Sequence, residues 1–312
     1  MYLQTESTKK QDIIQSPLNY TGGKFKLLNQ ILPYFPKQID TFVDLFCGGC
    51  NVGMNISADK VMFNDKSPHL LYLYNTFKNL GRDAVLSMID HVIRQYGLSC
   101  VAENGYAFYG CDSSAGLGNY NREPFLRLRN DFNKKNEDYG YYIMLYTLIV
   151  YAFNNQIRFN AKGEFNLPVG KRDFNNKMKS KLCAFIDRLQ DGNYTFSCVD
   201  FREYDTSLLT ENSLVYCDPP YLITCATYNE QDGWNEQCER DLYAMLDSLN
   251  ARNIKFALSN VVSSKGKTNT ILKRWLDQRN YKTIRLDYNY SNSSYQSKNK
   301  TESTDEVLVI NY

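Results

Sequence analysis

The stretch TFVDLFCGG, residues 41–49, joins a short apolar run of strand type to two glycines. Glycines allow a tight turn and let the backbone come close to a ligand. A second run, KVMFN at residues 60–64, predicts the next strand, and Asp65 follows it. Asp44 can accept a hydrogen bond from an amine or hydroxyl, and Asp65 can bridge the two hydroxyls of a ribose. The stretch lacks the G-x-G-x-x-G motif of dinucleotide-binding proteins. The pattern therefore favours an adenosine-containing ligand over a dinucleotide. The alternative is two ordinary strand ends and a tight turn.

Outward from this stretch, strand and helix patterns alternate near both ends of the chain, which predicts an α/β sheet. Helical patterns cover residues 24–34, 67–80, 83–95, 122–136, 139–153, 173–190, 236–251 and 268–279. Strand-like runs return at residues 194–199, 213–217, 254–258, 281–287 and 306–311. The helix-rich middle, roughly 71–190, therefore predicts a second lobe inserted between the early and late strands of one sheet.

Composition excludes several classes of protein. A chain of 312 residues can bury a sizeable core without disulfides. The nearly unbroken apolar run at residues 141–153 is shorter than the roughly 20 residues of a membrane span, so it predicts a buried helix. The N-terminus has no apolar segment typical of a secretion signal. Nine cysteines without framework spacing predict free thiols, and with two histidines the sequence predicts no metal site.

Charge is segregated along the chain although the net charge is only +2. Residues 158–188 carry a net charge of +5 and residues 251–304 a net charge of +8, whereas residues 200–247 carry −9. Local basic stretches of this kind suit a polyanionic partner. The alternative interpretation is that they are solvated helix faces.

The stretch DPPY, residues 218–221, follows a strand-like run and carries the groups needed to methylate an exocyclic amine. Its two prolines, Pro219 and Pro220, fix φ and leave a rigid turn without N–H donors. The Asp218 carboxylate and the Pro219 carbonyl can accept both N–H groups of adenine N6, which directs the nitrogen lone pair at a methyl donor. The ring of Tyr221 can stack on the base. The alternative is a plain turn that ends a strand.

A third motif, PLNYTGGK at residues 17–24, precedes a predicted helix. A Gly-Gly-Lys turn at a helix N-terminus suits an anionic group such as a carboxylate. The alternative is an ordinary capped helix start.

In this order, the motifs resemble the alpha group of DNA adenine-N6 methyltransferases, the Dam-like enzymes, over residues 17 to 312. The resemblance implies a Rossmann-like sheet of the S-adenosylmethionine (SAM)-dependent methyltransferases, with residues 1–70 and 191–312 forming the catalytic domain. Residues 71–190 would form an inserted, mostly helical DNA-recognition domain. The tetrapeptide Asp218, Pro219, Pro220 and Tyr221 would be catalytic. The residues that would bind SAM are Tyr20, Gly22, Gly23, Lys24, Asp44, Phe46, Gly48, Gly49, Asp65, Asp200, Phe201 and Asp218.

A further block, NNQIRFN at residues 154–160 followed by GEFNLPVGK at 163–171, is similar to the DNA-reading hairpin of this family. The resemblance implies that Arg158 reads a guanine edge, which arginine does with a bidentate pair to O6 and N7. The residues that would contact DNA are Asn19, Asn154, Gln156, Arg158, Pro168 and Lys171. Residues 291–300 and 304–308 are similar to the last loop and strand of the family.

Three positions depart from the family pattern. Cys50 occupies the slot of a third glycine in the loop after the first strand. Asn19 stands where enzymes that read GATC usually have lysine, and Gln156 replaces an apolar residue of the hairpin. The last two changes weigh against GATC as the recognition site.

The resemblance implies transfer of a methyl group from SAM to N6 of an adenine flipped out of duplex DNA, without a metal. The expected enzyme is a monomer, bacterial or phage-encoded, that is associated with the nucleoid in the cytoplasm. It would serve a restriction-modification system, with a restriction endonuclease acting separately, or work as a Dam-like orphan.

One alternative is an N-methyltransferase for RNA or a protein amide, although such enzymes usually have asparagine in place of Asp218. Another is a catalytically silent DNA-binding module.

Overall fold

A single mixed sheet forms the centre of the protein. A computed structural model describes residues 13–134, 138–223, 233–287 and 304–312. The strands are β1 (Thr41–Asp44), β2 (Lys60–Asn64), β3 (Tyr194–Ser197), β4 (Leu214–Cys217), β5 (Lys255–Ser264), β6 (Lys267–Thr268), β7 (Lys282–Leu286) and β8 (Asp305–Ile310). Their order is β3-β2-β1-β4-β5-β8-β7, and the short β6 pairs with β5. The predicted α/β class is confirmed.

The first five strands run parallel, and β8 and β7 are antiparallel to their neighbours. The strand order reverses between β1 and β4. Asp44 of β1 pairs with Phe63 of β2 on one side and with Tyr216 of β4 on the other. Asp65 and Asp218 therefore each lie two residues beyond the residue of their own strand that pairs with Asp44. In parallel sheets, ligands bind at this carboxyl edge, where the strand order reverses.

Helices cover the sheet and form the middle of the chain. They are α1 (Leu28–Ile31), α2 (Pro68–Tyr96), α3 (Val101–Phe108), α4 (Gly118–Phe132), α5 (Tyr139–Tyr151), α6 (Asn176–Asp191), α7 (Glu236–Ala251) and α8 (Thr270–Asp277). The helix predicted over residues 24–34 is instead the short α1 between two 3-10 turns, Lys24–Leu27 and Leu32–Tyr34, the second of which contains Pro33.

The two helices predicted over residues 67–80 and 83–95 are parts of one element, α2, interrupted at Gly81. Gly81 has φ 74° and ψ 172°, outside the helical region. A Cβ at this position would lie 2.6 Å from the side-chain amide nitrogen of Gln190 on α6. The positive φ favours glycine at the break, whereas the flexible end of the Gln190 side chain could move aside.

The apolar run at residues 141–153 lies largely within α5, which is buried around its whole circumference. No helix among the described residues is long and apolar enough to cross a membrane. Elements α2 to α6 all lie between β2 and β3 in the chain. Tyr74 of α2 also packs on Phe196 of β3, with ring centroids 5.9 Å apart, so α2 is a layer on the sheet as well. The division of the chain at residues 71 and 190 stays a prediction.

Candidate active site

Asp44, the last residue of β1, is a buried carboxylate at the carboxyl edge of the sheet, with 2% of its surface exposed. Its Oδ2 accepts a hydrogen bond from the backbone N–H of Gly53 at 3.1 Å. A Cβ on Gly53 would lie 2.3 Å from the ring of Phe63, so this approach requires glycine. Burial raises the pKa of Asp44 to about 7; the hydrogen bond from Gly53 opposes this shift, and the charges of Asp218 and Asp65 add to it.

Asp65, directly after β2, faces the glycine loop. Its Oδ2 accepts the backbone N–H of Gly48 at 2.9 Å, and its Oδ1 accepts the backbone N–H of Ser67 at 2.9 Å. Each carboxylate oxygen has two lone pairs and can accept more than one hydrogen bond. The arrangement can orient a carboxylate toward a pair of hydroxyl groups.

The loop after β1 adopts left-handed backbone conformations at two positions. Gly48 has φ 44°, and a Cβ there would lie 2.7 Å from the ring of Tyr20, which covers the loop. Cys50, in the slot of the family's third glycine, has φ 57° and a fully buried side chain. A non-glycine residue in this region costs about 1–3 kcal/mol. The loop therefore keeps at Cys50 the backbone conformation that a glycine there would adopt without strain.

Lys24 and the DPPY turn meet at one carboxylate oxygen. The Lys24 ammonium lies 2.7 Å from Oδ1 of Asp218 and donates to the carbonyl of Gly22 at 2.9 Å. The hydroxyl of Tyr221 donates to the same Oδ1 at 2.9 Å, and Lys24 Nζ lies 5.0 Å from the centroid of the Tyr221 ring. Burial raises the pKa of Asp218, and the charge of Lys24 opposes this shift. Neither contact uses Oδ2 of Asp218.

An aromatic cluster lies beside the glycine loop. The rings of Phe46, Phe201 and Trp234 have centroids between 5.5 and 5.6 Å from one another. Asp200 accepts the backbone N–H of Arg202 at 3.1 Å and so caps the 3-10 turn that carries Phe201. Trp234 was not predicted from the sequence, where nothing links it to Phe46. Such a cluster can offer an aromatic surface to a planar ring.

Two further positioning side chains were missed by the sequence motifs. Tyr74 of α2 is fully buried and donates from its hydroxyl to the carbonyl of Gly48 at 2.7 Å. The amide of Asn64 at the end of β2 donates to the carbonyls of Leu45 and Val199, each at 3.1 Å, and so joins the ends of three strands. In the sequence, both residues are indistinguishable from ordinary core positions.

Replacing Tyr74 with phenylalanine removes one hydroxyl and leaves the buried carbonyl of Gly48 without that donor. We expect the free energy of unfolding to fall by about 1 kcal/mol, measured by urea denaturation. Tyr146→Phe is the matched control, because Tyr146 is fully buried and its hydroxyl has no hydrogen-bond partner among the described residues. An equal loss in both variants would contradict a specific role for the Tyr74 hydroxyl.

The predicted DNA-reading block forms a hairpin beyond α5. Phe159 and Phe165 form an antiparallel bridge, and the backbone N–H of Asn166 donates to the carbonyl of Arg158 at 3.2 Å. The guanidinium of Arg158 is held by Asn166, with Nε 2.7 Å from the side-chain oxygen and Nη2 3.1 Å from the backbone carbonyl. Asn166 thus orients Arg158 from the opposite arm of the hairpin.

The other predicted DNA-contacting residues surround this hairpin. Asn154, Gln156, Pro168 and Lys171 are exposed. The side-chain amide of Asn19 donates to Asn155 at 3.4 Å, which brings the segment before α1 to the hairpin. The predicted C-terminal loop at residues 291–300 lies outside the described residues, whereas the strand expected after it is β8.

Comparisons with known proteins agree with this geometry. A family model described as D12 class N6 adenine-specific DNA methyltransferase matches residues 20–300. The chain is 42% identical to the type II methyltransferase M.FokI of Planomicrobium okeanokoites and 41% identical to the modification methylase StsI of Streptococcus sanguinis, over 97% and 99% of its length. It spans 44% of each of these two relatives. It is 26% identical to the DNA adenine methylase of Escherichia coli K12 over 78% of this chain and 79% of that protein.

Proposed function

The chain belongs to the D12 class of N6 adenine-specific DNA methyltransferases, and on that premise we propose that it transfers a methyl group from SAM to N6 of an adenine in duplex DNA. The observation that carries the proposal is the position of Asp218 and Tyr221 beside Asp44 and Asp65 at one edge of the sheet. This arrangement sets the acceptors for an amine next to carboxylates suited to an adenosine-containing methyl donor.

The charges at this edge fit SAM, which carries a cationic sulfonium and a cationic amino group. Among the described residues, the buried carboxylate of Asp44 accepts only one hydrogen bond, from Gly53, so a cation has a favourable place beside it. Asp65 would hold the ribose hydroxyls, and Phe46 and Phe201 would flank the purine ring. When bound, SAM supplies the methyl group.

The pKa of Asp44 gives the affinity for SAM a defined pH dependence. Because that pKa is about 7, the carboxyl is mostly neutral at pH 6 and mostly charged at pH 7.5. A cationic ligand favours the charged form, so we expect affinity to rise with pH over this range, by at most about tenfold per pH unit. Calorimetry on the wild type and on Asp44→Asn tests this, because the variant should bind more weakly and lose that rise. Equal slopes for both proteins would contradict the role of Asp44.

At the catalytic turn, Asp218 and the Pro219 carbonyl would accept the two N–H groups of adenine N6. Lys24 and Tyr221 both contact Oδ1 of Asp218, so Oδ2 is the oxygen offered to the amine. The two acceptors favour a tetrahedral nitrogen whose lone pair points at the methyl donor. The target base must leave the helical stack to reach this turn, and Tyr221 would stack on it, with Pro220 keeping the turn rigid.

We propose that the helical insertion, residues 71–190, reads the DNA through its hairpin. The guanidinium of Arg158, oriented by Asn166, is the candidate for a guanine edge. Asn19, Asn154, Gln156, Pro168 and Lys171 would line the same interface. The substitutions at Asn19 and Gln156 weigh against GATC as the site.

The names of the relatives suggest a biological role. M.FokI is a type II methyltransferase and StsI a modification methylase. We propose that this protein modifies the DNA of a bacterium within a restriction-modification system, as a monomer and with a restriction endonuclease as a separate partner. The chain spans 44% of the length of each of these two relatives, so no activity of their remaining parts is assigned to it.

Expression in a bacterial host that lacks adenine methylation tests the function and identifies the recognition sequence in one experiment. We expect sequencing that detects modified bases to find N6-methyladenine in one short sequence context in cells carrying the gene and none in cells without it. Absence of N6-methyladenine at any context, in cells that contain the folded protein, would contradict the proposal.

A further inference from the structure

Glu306 on β8 is a buried carboxylate at the DPPY turn that no sequence motif assigns to the reaction. Only 1% of its surface is exposed. Its Oε1 lies 3.0 Å from the hydroxyl oxygen of Tyr221 and 3.7 Å from the ammonium of Lys24. Burying a carboxylate is costly unless it is paired, and the partners of Glu306 include two residues of the proposed active site.

Two donors lie between two carboxylates at this point. The hydroxyl of Tyr221 has a single hydrogen, and its oxygen is 2.9 Å from Asp218 and 3.0 Å from Glu306. The ammonium of Lys24 is 2.7 Å from Asp218 and 3.7 Å from Glu306. Tyr221 can donate to only one acceptor at a time. Both donors lie closer to Asp218, and both have Glu306 as a second acceptor.

An arriving adenine amine brings one further hydrogen-bond donor to Asp218, at Oδ2, while Lys24 and Tyr221 contact Oδ1. A buried hydroxyl or ammonium that loses its acceptor costs about 1–3 kcal/mol, more when it is charged. The carboxylate of Glu306 is an acceptor within reach of Tyr221 and Lys24, and its negative charge lies close to the ammonium of Lys24.

We propose that Glu306 is a positioning residue for methyl transfer: as a second acceptor for the hydroxyl of Tyr221 and the ammonium of Lys24, it keeps both donors at Oδ1 of Asp218 while Oδ2 binds the adenine amine. This inference rests on the proposed function. Glu306 acts through these two side chains, because it contacts both of them and lies on a strand outside the turn. We therefore expect its effect mainly on the step at the amine.

The test is Glu306→Gln, which keeps the size of the side chain and removes its charge. Asp218 then balances more of the charge of Lys24 and becomes a weaker acceptor for the amine. We therefore expect kcat to fall about 10- to 100-fold while KM for SAM changes less than about threefold. Methylation-free DNA containing the identified site and tritium-labelled SAM give both constants. Glu306→Asp, which keeps the charge on a shorter side chain, should recover part of kcat.

Glu239→Gln is the matched control, because Glu239 is also a fully buried carboxylate, and the amides of Asn269 and Asn260 that hold it are not part of the proposed active site. We expect it to change kcat less than Glu306→Gln does. Tyr221→Phe completes the design: if Glu306 acts partly through the Tyr221 hydroxyl, the losses from Glu306→Gln and Tyr221→Phe will not add in the double variant.

The outcomes separate this inference from the proposed function. An active wild type with an unchanged kcat in Glu306→Gln overturns the inference alone. So does an equal loss of kcat in Glu239→Gln, or an aspartate variant less active than the glutamine variant. A wild-type protein that methylates no adenine overturns the proposed function and this inference with it.

Discussion

Asp218→Ala is expected to lower the rate of methyl transfer by about 10³-fold or more while leaving SAM bound. The substitution removes the carboxylate that would accept the N6 amine and leaves Lys24 without its closest carboxylate partner, at 2.7 Å. Single-turnover transfer of tritium from labelled SAM to DNA measures the chemical step. Calorimetry measures SAM binding, which should change by no more than a few-fold.

Asp218→Asn is the matched variant, because it keeps the volume of the side chain and one oxygen acceptor. Lys24 loses its closest charged partner in this variant too, so a large loss of rate with SAM binding intact is again expected. Near-normal methylation by either variant would show that Asp218 is not the catalytic acceptor.

Arg158→Ala is expected to relax the choice of base at one position of the recognition site. A bidentate arginine–guanine contact contributes about 1–3 kcal/mol of discrimination, so the preference at that base pair should fall by roughly 5- to 150-fold. The measurement is kcat/KM on a panel of duplexes, each with a single base-pair change in the site. Preferences at the other positions should stay as they are in the wild type.

Asn166→Ala provides the control for Arg158, because it removes the side-chain oxygen that holds Nε at 2.7 Å but keeps the guanidinium. We expect a smaller loss of preference at the same base pair. A uniform loss of kcat/KM across all duplexes in Arg158→Ala would mark this residue as a phosphate contact and contradict its role in reading the sequence.

Much of the fold was predictable because local sequence patterns coincide with the sheet. The apolar run of β2 and the helix α7 begin and end at the predicted residues. Carboxylates at strand ends converge in a parallel sheet, so Asp44, Asp65 and Asp218 could be assigned to one edge. Helix α3, in contrast, was missed: it has only eight residues, and Gly105 within it has a non-helical conformation. Such a segment has no helical periodicity to detect.

The parts of the site that were not predicted are contacts between residues far apart in sequence. Tyr221 and Glu306 are separated by 85 positions, and Tyr74 lies 26 positions from the carbonyl that it binds. Each looks like a core or strand residue until the sheet order brings β8 next to β5 and α2 onto the glycine loop. The sequence motifs mark the groups proposed to touch substrate, whereas the residues proposed to position them are revealed by packing.

The most direct test of the central claim is transfer of tritium from labelled SAM to purified DNA, RNA and protein, followed by identification of the labelled product. We predict that the label enters duplex DNA and elutes as N6-methyladenine after digestion, and that Asp218→Ala abolishes it. Label in RNA or in a protein side chain, or on a DNA base other than adenine, would contradict a DPPY turn that methylates the adenine amine.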